Sequence, residues 1–216
     1  MQKGLGKSEG TVDIHHAGTA MRFLTAYFAS QEGKHVTLTG SERMQERPIQ
    51  VLVEALRSLG ADIEYLKEEG YPPLNIKGKT LEKSTVSLPA NISSQYISAL
   101  LLIAPSLKNG LALELVGKIT SVPYIKMTLA LLEQIGVETT FKGNKITVAP
   151  QKAVADTTLV VESDWSSASY FYSIAALCEA GSEIQLASYK KNSLQGDSIL
   201  AKIYTCLLYT SPSPRD

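Results

Sequence analysis

The chain has 216 residues, 44% of them hydrophobic and 19% charged, a balance ordinary for a folded protein and long enough for one large domain or one domain and part of another. Its 21 basic and 21 acidic residues cancel, which argues against broad binding to nucleic acid or an anionic membrane and leaves room for a local arginine cluster. No apolar run approaches the roughly 18–20 residues of a membrane span, and the opening MQKGLGKSEG lacks the apolar core of a signal peptide.

Along the chain, the patterning predicts a β-α-β-α-β-β unit that occurs twice and starts a third time. The first unit runs through strand Thr11–Ile14, helix Gly18–Ser30, strand His35–Thr39, helix Pro48–Leu59, strand Ala61–Leu66 and strand Pro73–Lys77. Pro48 suits a first helical position, where its missing N–H costs nothing, and Gly60 suits the left-handed residue past the helix end. The second unit repeats the order: strand Thr85–Leu88, helix Ser94–Ala104, strand Leu111–Val116, helix Pro123–Ile135, strands Val137–Phe141 and Lys145–Val148. A third begins with strand Thr158–Glu162, helix Ser166–Glu179, strand Glu183–Leu186 and a helix from Asp197, and stops near Tyr204. Sheets with helices on one face follow, an α/β or α+β arrangement. The closing CLLYTSPSPRD breaks the pattern, so residues 206–216 read as foreign to the fold.

Small polar residues open the first helix of each unit: Gly18-Thr19, Ser93-Ser94-Gln95 and Ser166-Ser167. Hydroxyls and free N–H groups at a helix N-terminus bind phosphate or carboxylate, and they also serve as plain helix caps. Glycine at position 18 removes the β-carbon and lets a ligand approach the backbone. Arg47, in GSERMQERPI, adds a fixed fork of donors near a helix start; the plainer alternative is a solvated arginine. Ser121 and Tyr124 stand at the matching place of the second unit. Together these residues point to a phosphorylated or carboxylated ligand. His15-His16 have no third ligand at metal spacing, and neither GxGxxG nor GxxxxGK[ST] occurs. Cys178 reads as a buried free thiol on an apolar helical face, and the two unpaired cysteines suit a reducing, cytoplasmic setting. Asp164, before Trp165-Ser166-Ser167, reads as a helix cap or an interdomain contact.

The segments HHAGTAMRFL (15–24), GSERMQERPI (40–49), SSQYISALLLIAP (93–105), SVPYIKMTLALLEQIG (121–136), ESDWSSASYF (162–171) and NSLQGDS (192–198) resemble, in order, those of the 3-phosphoshikimate 1-carboxyvinyltransferase (EPSP synthase) family. The resemblance implies an inside-out α/β barrel of the enolpyruvyl transferase type, with two domains of three βαβαββ units each. Residues 1–162 would then hold two units of one domain, 163–205 the start of the other, and 206–216 a non-native tail. It implies transfer of the enolpyruvyl group of phosphoenolpyruvate to the 5-hydroxyl of shikimate 3-phosphate, by addition and elimination, with no metal or organic cofactor. Ser93, Ser94, Gln95, Ser121 and Tyr124 would hold shikimate 3-phosphate. Gly18, Arg47 and Gln95 would hold phosphoenolpyruvate, whose site the herbicide glyphosate occupies in this family. The acid and base of the reaction match no residue here, so the chain alone is expected to be inactive, and the full-length form is expected to be a cytoplasmic monomer. Two positions depart from the family pattern: His16 stands where asparagine is usual and Phe23 where proline is usual. The alternatives are a relative acting on UDP-N-acetylglucosamine, which typically carries a catalytic cysteine in a glycine-rich loop absent here, and a non-catalytic phospho-ligand binding fragment.

Overall fold

The computed structural model describes residues 5–179 and 181–208. Its contacts divide the chain between Thr157 and Thr158, where sequence analysis sets the boundary after residue 162. The first unit holds both complete repeats. One is β1 (Glu9–Asp13), α1 (Gly18–Ala29), β2 (His35–Thr39), α2 (Glu42–Gln45), α3 (Gln50–Leu59), β3 (Asp62–Tyr65) and β4 (Leu74–Lys77). The other is β5 (Thr85–Pro89), α4 (Ser94–Ile103), β6 (Leu111–Val116), α5 (Val122–Gln134), β7 (Thr139–Lys142) and β8 (Lys145–Val148).

The two sheets have the same plan, β1-β2-β4-β3 and β5-β6-β8-β7. In each, the first pair is parallel, because a helix crosses over between them, and the remaining pairs are antiparallel. Alternation is clearest in β6, where Leu111, Leu113 and Leu115 point inward while Ala112, Glu114 and Val116 are exposed. The inner faces and the helices form one apolar cluster that runs through both repeats, from Val12 to Val148. Helices α1 and α4 pack on each other, and α4 is buried nearly all round from Tyr96 to Leu101, which fits its almost unbroken apolar sequence. Helix α3 buries Leu52, Val53, Ala55, Leu56 and Leu59 and stops at Gly60, whose φ of 110° only glycine adopts at little cost.

Several expectations need correction. Pro48 does not open the second helix: the N-cap is Ile49, whose N–H is taken by the Gly70 carbonyl at 2.9 Å, so α3 starts at Gln50. The short helix α2, capped by the Ser41 hydroxyl on the Met44 N–H, goes unread in the sequence because one turn carries no periodicity. The strand expected from Val137 starts at Thr139, because Val137 N–H returns to the Leu132 carbonyl to close the end of α5.

The second unit departs further. Its helix α6 (Trp165–Leu177) is present, and Asp164 caps it, accepting from the Ser166 N–H at 2.9 Å. Thr158–Glu162 and Glu183–Leu186 are not strands: alternation favours an extended chain, but a strand needs a ladder partner, and none faces these segments among the described residues. Val160 and Val161 are accordingly exposed. Cys178 is exposed rather than buried, because α6 ends at Leu177 and only Trp165 and Ala168 of that helix are buried. Helix α7 (Leu200–Leu208) continues past Tyr204 through Cys206, so the first residues of the segment read as foreign are helical; 209–216 lie outside the described residues.

Candidate anion site at two helix N-termini

Helix α1 begins at Gly18 directly after the turn that leaves β1, and its N-cap, Ala17, supplies no side-chain acceptor. Its first N–H groups are therefore left unpaired and carry the positive end of the helix dipole. Helix α4 begins at the equivalent place of the second repeat. There the Ser93 hydroxyl accepts from the Gln95 N–H at a long 3.4 Å, while among the described residues the Ser94 hydroxyl is engaged by no partner. Helix α5 starts after Ser121, again without a side-chain cap. None of these three helices has an acidic residue in its first turn.

Side chains join the two repeats at this point. Gln95 Nε2 donates to Thr19 Oγ1 at 3.1 Å, linking the first turns of α4 and α1. The Tyr96 hydroxyl donates to the Pro48 carbonyl at 2.7 Å, which pins the residue following Arg47. Arg47 lies in the segment between α2 and α3, and its guanidinium sits over Gly18: a β-carbon there would be 2.5 Å from Arg47 Nη1 and 3.2 Å from its Cζ. In sequence Arg47 stands before the start of α3, and in the structure its guanidinium lies against the first residue of α1, the Gly18 with which the family resemblance groups it. Gly18 is small because a guanidinium occupies the place of its side chain.

Ser121 and Tyr124 are attached less directly. Thr128 Oγ1 donates to the Tyr124 carbonyl at 2.9 Å and accepts from the buried Ser98 hydroxyl at 2.7 Å, tying the first turn of α5 to α4. Neither Ser121 nor the exposed Tyr124 ring bonds to Gly18, Arg47 or Gln95. The departures are also placed. Phe23 lies within an unbroken α1 and packs on the core, and His16 Nδ1 shares a hydrogen bond with the Ser41 hydroxyl at 2.8 Å.

One functional candidate escaped the sequence reading. Arg22, one turn after Gly18, is 6% exposed, donates from Nη1 to the Gly18 carbonyl at 2.8 Å and lies 5.6 Å from the centre of the Tyr96 ring. The i, i+4 spacing in GTAMR was the available signal. Among the described residues neither Arg22 nor Arg47 pairs with a carboxylate; the ion pairs are Arg57–Glu69, Lys77–Glu64 and Lys108–Glu82. Groups with shifted titration lie elsewhere. Burial pushes the Tyr65 hydroxyl up to about 12, against the nearby Arg57 charge. The hydrogen bond from Asn75, with the charge of Lys77, holds Glu64 low. At Glu162 burial acts upward, but hydrogen bonds from Ser193 and the Lys190 N–H outweigh it and lower the pKa. No group of His, Cys, Asp and Glu able to hold a metal ion occurs among the described residues. A shallow groove of about 470 Å³ crosses the outer face of the second sheet, but there Glu114 offsets Lys145 and no helix start contributes. At Gly18 two guanidinium groups meet an uncapped helix N-terminus, a set of donors whose chemistry suits a dense anion.

The model of the EPSP synthase (3-phosphoshikimate 1-carboxyvinyltransferase) family matches residues 3–206. The chain belongs to the EPSP synthase family. It is 50% identical over 207 residues to the 3-phosphoshikimate 1-carboxyvinyltransferase of Bacteroides fragilis (strain YCH46), covering 96% of this chain and 50% of that protein. The protein of the same name from Vibrio cholerae serotype O1 (strain M66-2) is 43% identical over 202 residues, covering 90% of this chain and 47% of its own length. The chain thus spans about half the length of the curated relatives it matches. Among solved structures, an EPSP synthase of Acinetobacter baumannii superposes with a TM-score of 0.68 at 27% identity, over 85% of this chain and 40% of that one. The mixed α/β fold of two four-stranded sheets is that of an EPSP synthase, and no helix among the described residues is long and apolar enough to cross a membrane.

Proposed function

We propose that the whole protein transfers the enolpyruvyl group from phosphoenolpyruvate to the 5-hydroxyl of shikimate 3-phosphate and releases phosphate. The observation that carries this reading is the seating of Arg47 over Gly18, beside the Gln95–Thr19 link that joins the uncapped N-terminus of α1 to the serine-capped N-terminus of α4. Two anionic substrates need two clusters of donors held a short way apart, and a bridge between the clusters keeps their spacing fixed. In this reading Gly18, Arg47 and Gln95 hold phosphoenolpyruvate. Ser93, Ser94 and Gln95 hold shikimate 3-phosphate, with Ser121 on its phosphate and Tyr124 along its ring. The substrate hydroxyl gives up its proton as its oxygen bonds to the carbon bearing the phosphate ester, and the neighbouring methylene takes up a proton to become a methyl group. The carbon–oxygen bond to phosphate then breaks as that methyl loses a proton, and phosphate leaves with the proton the hydroxyl released. Among the described residues no site atom is hydrogen-bonded to a carboxylate, imidazole or lysine, so turnover is assigned to the whole protein and substrate holding to this part of it.

The partners of this reading are the two small-molecule substrates, and the full-length form is a monomer. A cytoplasmic setting is part of the same proposal, supported by the free, exposed thiols of Cys178 and Cys206. Calorimetric titration of shikimate 3-phosphate into the chain, beside a Ser93→Ala/Ser94→Ala variant, tests the reading. Saturable binding lost in the variant is expected, with no heat from UDP-N-acetylglucosamine. Undiminished binding in the variant, or preference for the UDP-sugar, would overturn it.

A further inference from the structure

Arg22 is a permanently charged group, nine-tenths buried, with its Nε unpartnered and no carboxylate beside it among the described residues. Its compensation is one neutral carbonyl, that of Gly18, and the face of Tyr96. Burying a cation on such terms is costly, and arginine cannot shed its proton to escape the cost. A second cation makes it worse. A β-carbon on Gly18 would lie 2.7 Å from Arg22 Nη1 and 2.5 Å from Arg47 Nη1, so the two guanidinium nitrogens stand no farther apart than the sum of those distances. Packing alone would be served at this position by leucine or methionine, which carry no charge to desolvate.

We propose that Arg22 is a positioning residue whose buried charge is completed by a bound anion, a phosphate ester or carboxylate of the phosphoenolpyruvate class, at the N-terminus of α1. The proposal rests on the reading above. Arg22 works through its neighbours: Nη1 fixes the Gly18 carbonyl and with it the first turn of α1, and its charge turns the Arg47 guanidinium outward toward the ligand. Arg22 and Arg47 repel each other, and an anion that reaches Arg47 and the free N–H groups offsets both charges. Folded-state stability is linked to anion occupancy through Arg22.

Thermal unfolding of the full chain tests this, in chloride at constant ionic strength, with inorganic phosphate, phosphoenolpyruvate or shikimate 3-phosphate added, for wild type, Arg22→Met and Arg22→Lys. Wild type should gain roughly 5–10 °C at a hundredfold excess of phosphoenolpyruvate over its Kd. Arg22→Met, which keeps the packing against Tyr96, should melt at or above the wild type without anion and lose most of the phosphoenolpyruvate shift. Arg22→Lys should keep more than half of it, and the shikimate 3-phosphate shift should persist in every variant that folds. Arg22→Met melting below wild type yet keeping the full shift would make Arg22 a structural residue and overturn the proposal. Where Arg22→Met does not fold, a folded Arg22→Lys without a phosphoenolpyruvate shift overturns it. A wild type stabilised by shikimate 3-phosphate alone sinks this inference and spares the functional reading; a wild type stabilised by neither ligand sinks both.

Discussion

Gly18→Ala is the sharpest perturbation of the site, because the new methyl group lands where a guanidinium already lies. Its β-carbon would be 2.5 Å from Arg47 Nη1, and ordinary contact begins at 3.4 Å, so one of the two must retreat by roughly 0.9 Å. Arg22 Nη1, at 2.7 Å, is held by burial and by the Gly18 carbonyl, whereas Arg47 is exposed and free to swing. Arg47 therefore swings away, and Arg22 Nη1 gives by roughly 0.7 Å at the end of its flexible side chain, which leaves the backbone of α1 in place. Losing one hydrogen bond to a charged group costs about 1.5–3 kcal/mol, which is roughly 10- to 100-fold in Kd. Alanine favours a helix over glycine by up to about 1 kcal/mol, which offsets residual crowding, so the melting temperature should hardly move. Calorimetric titration with phosphoenolpyruvate reads the affinity, and shikimate 3-phosphate serves as a control that should change less than about twofold. Unchanged phosphoenolpyruvate affinity in a folded variant would refute the placement of Arg47 on that ligand. Parallel loss for both ligands would refute the separation of the two subsites.

Two further predictions concern what holds the site. The Ser98–Thr128 hydroxyl pair supports the first turn of α5 from α4, so Ser98→Ala and Thr128→Val should each cost about 1–3 kcal/mol in urea unfolding, and the double variant less than their sum; strict additivity would contradict the coupling. Tyr65, raised from 10.0 to about 12, contributes stability that is full below pH 10 and lost as pH rises through 12. Tyr65→Phe should remove that share of the alkaline loss and cost little near neutrality, since the buried hydroxyl has no partner; an unaltered alkaline profile would refute the assignment.

The repeat was legible because alternation and helical spacing both recur at one period, and Gly60 and Gly136, each at positive φ, punctuate it as the turn chemistry requires. His35–Thr39, Leu111–Val116 and Lys145–Val148 match their expected bounds residue for residue. Local pattern failed where a distant partner decides the outcome. Ile49 leaves the helix because its N–H meets Gly70, and Thr158–Glu162 stays irregular for want of a ladder. The site residues were visible as residue types at helix starts, but the assembly was not. That Arg47 crosses to Gly18, and that Arg22 stays charged and buried beneath it, follow from the packing of α1 on α4, which no local window contains.

In the proposed reading Gly18, Arg47 and Ser93–Gln95 form two adjoining anion subsites, coupled across the two repeats by the Gln95–Thr19 hydrogen bond. Amide resonances followed by heteronuclear NMR during titration with phosphoenolpyruvate in the presence of shikimate 3-phosphate test it most directly. The amides of Gly18, Thr19, Ser94 and Gln95 should shift together along a single saturation curve. Shifts confined to Thr85, Ser87 and Thr147 on the outer sheet face, or separate curves for α1 and α4, would contradict it.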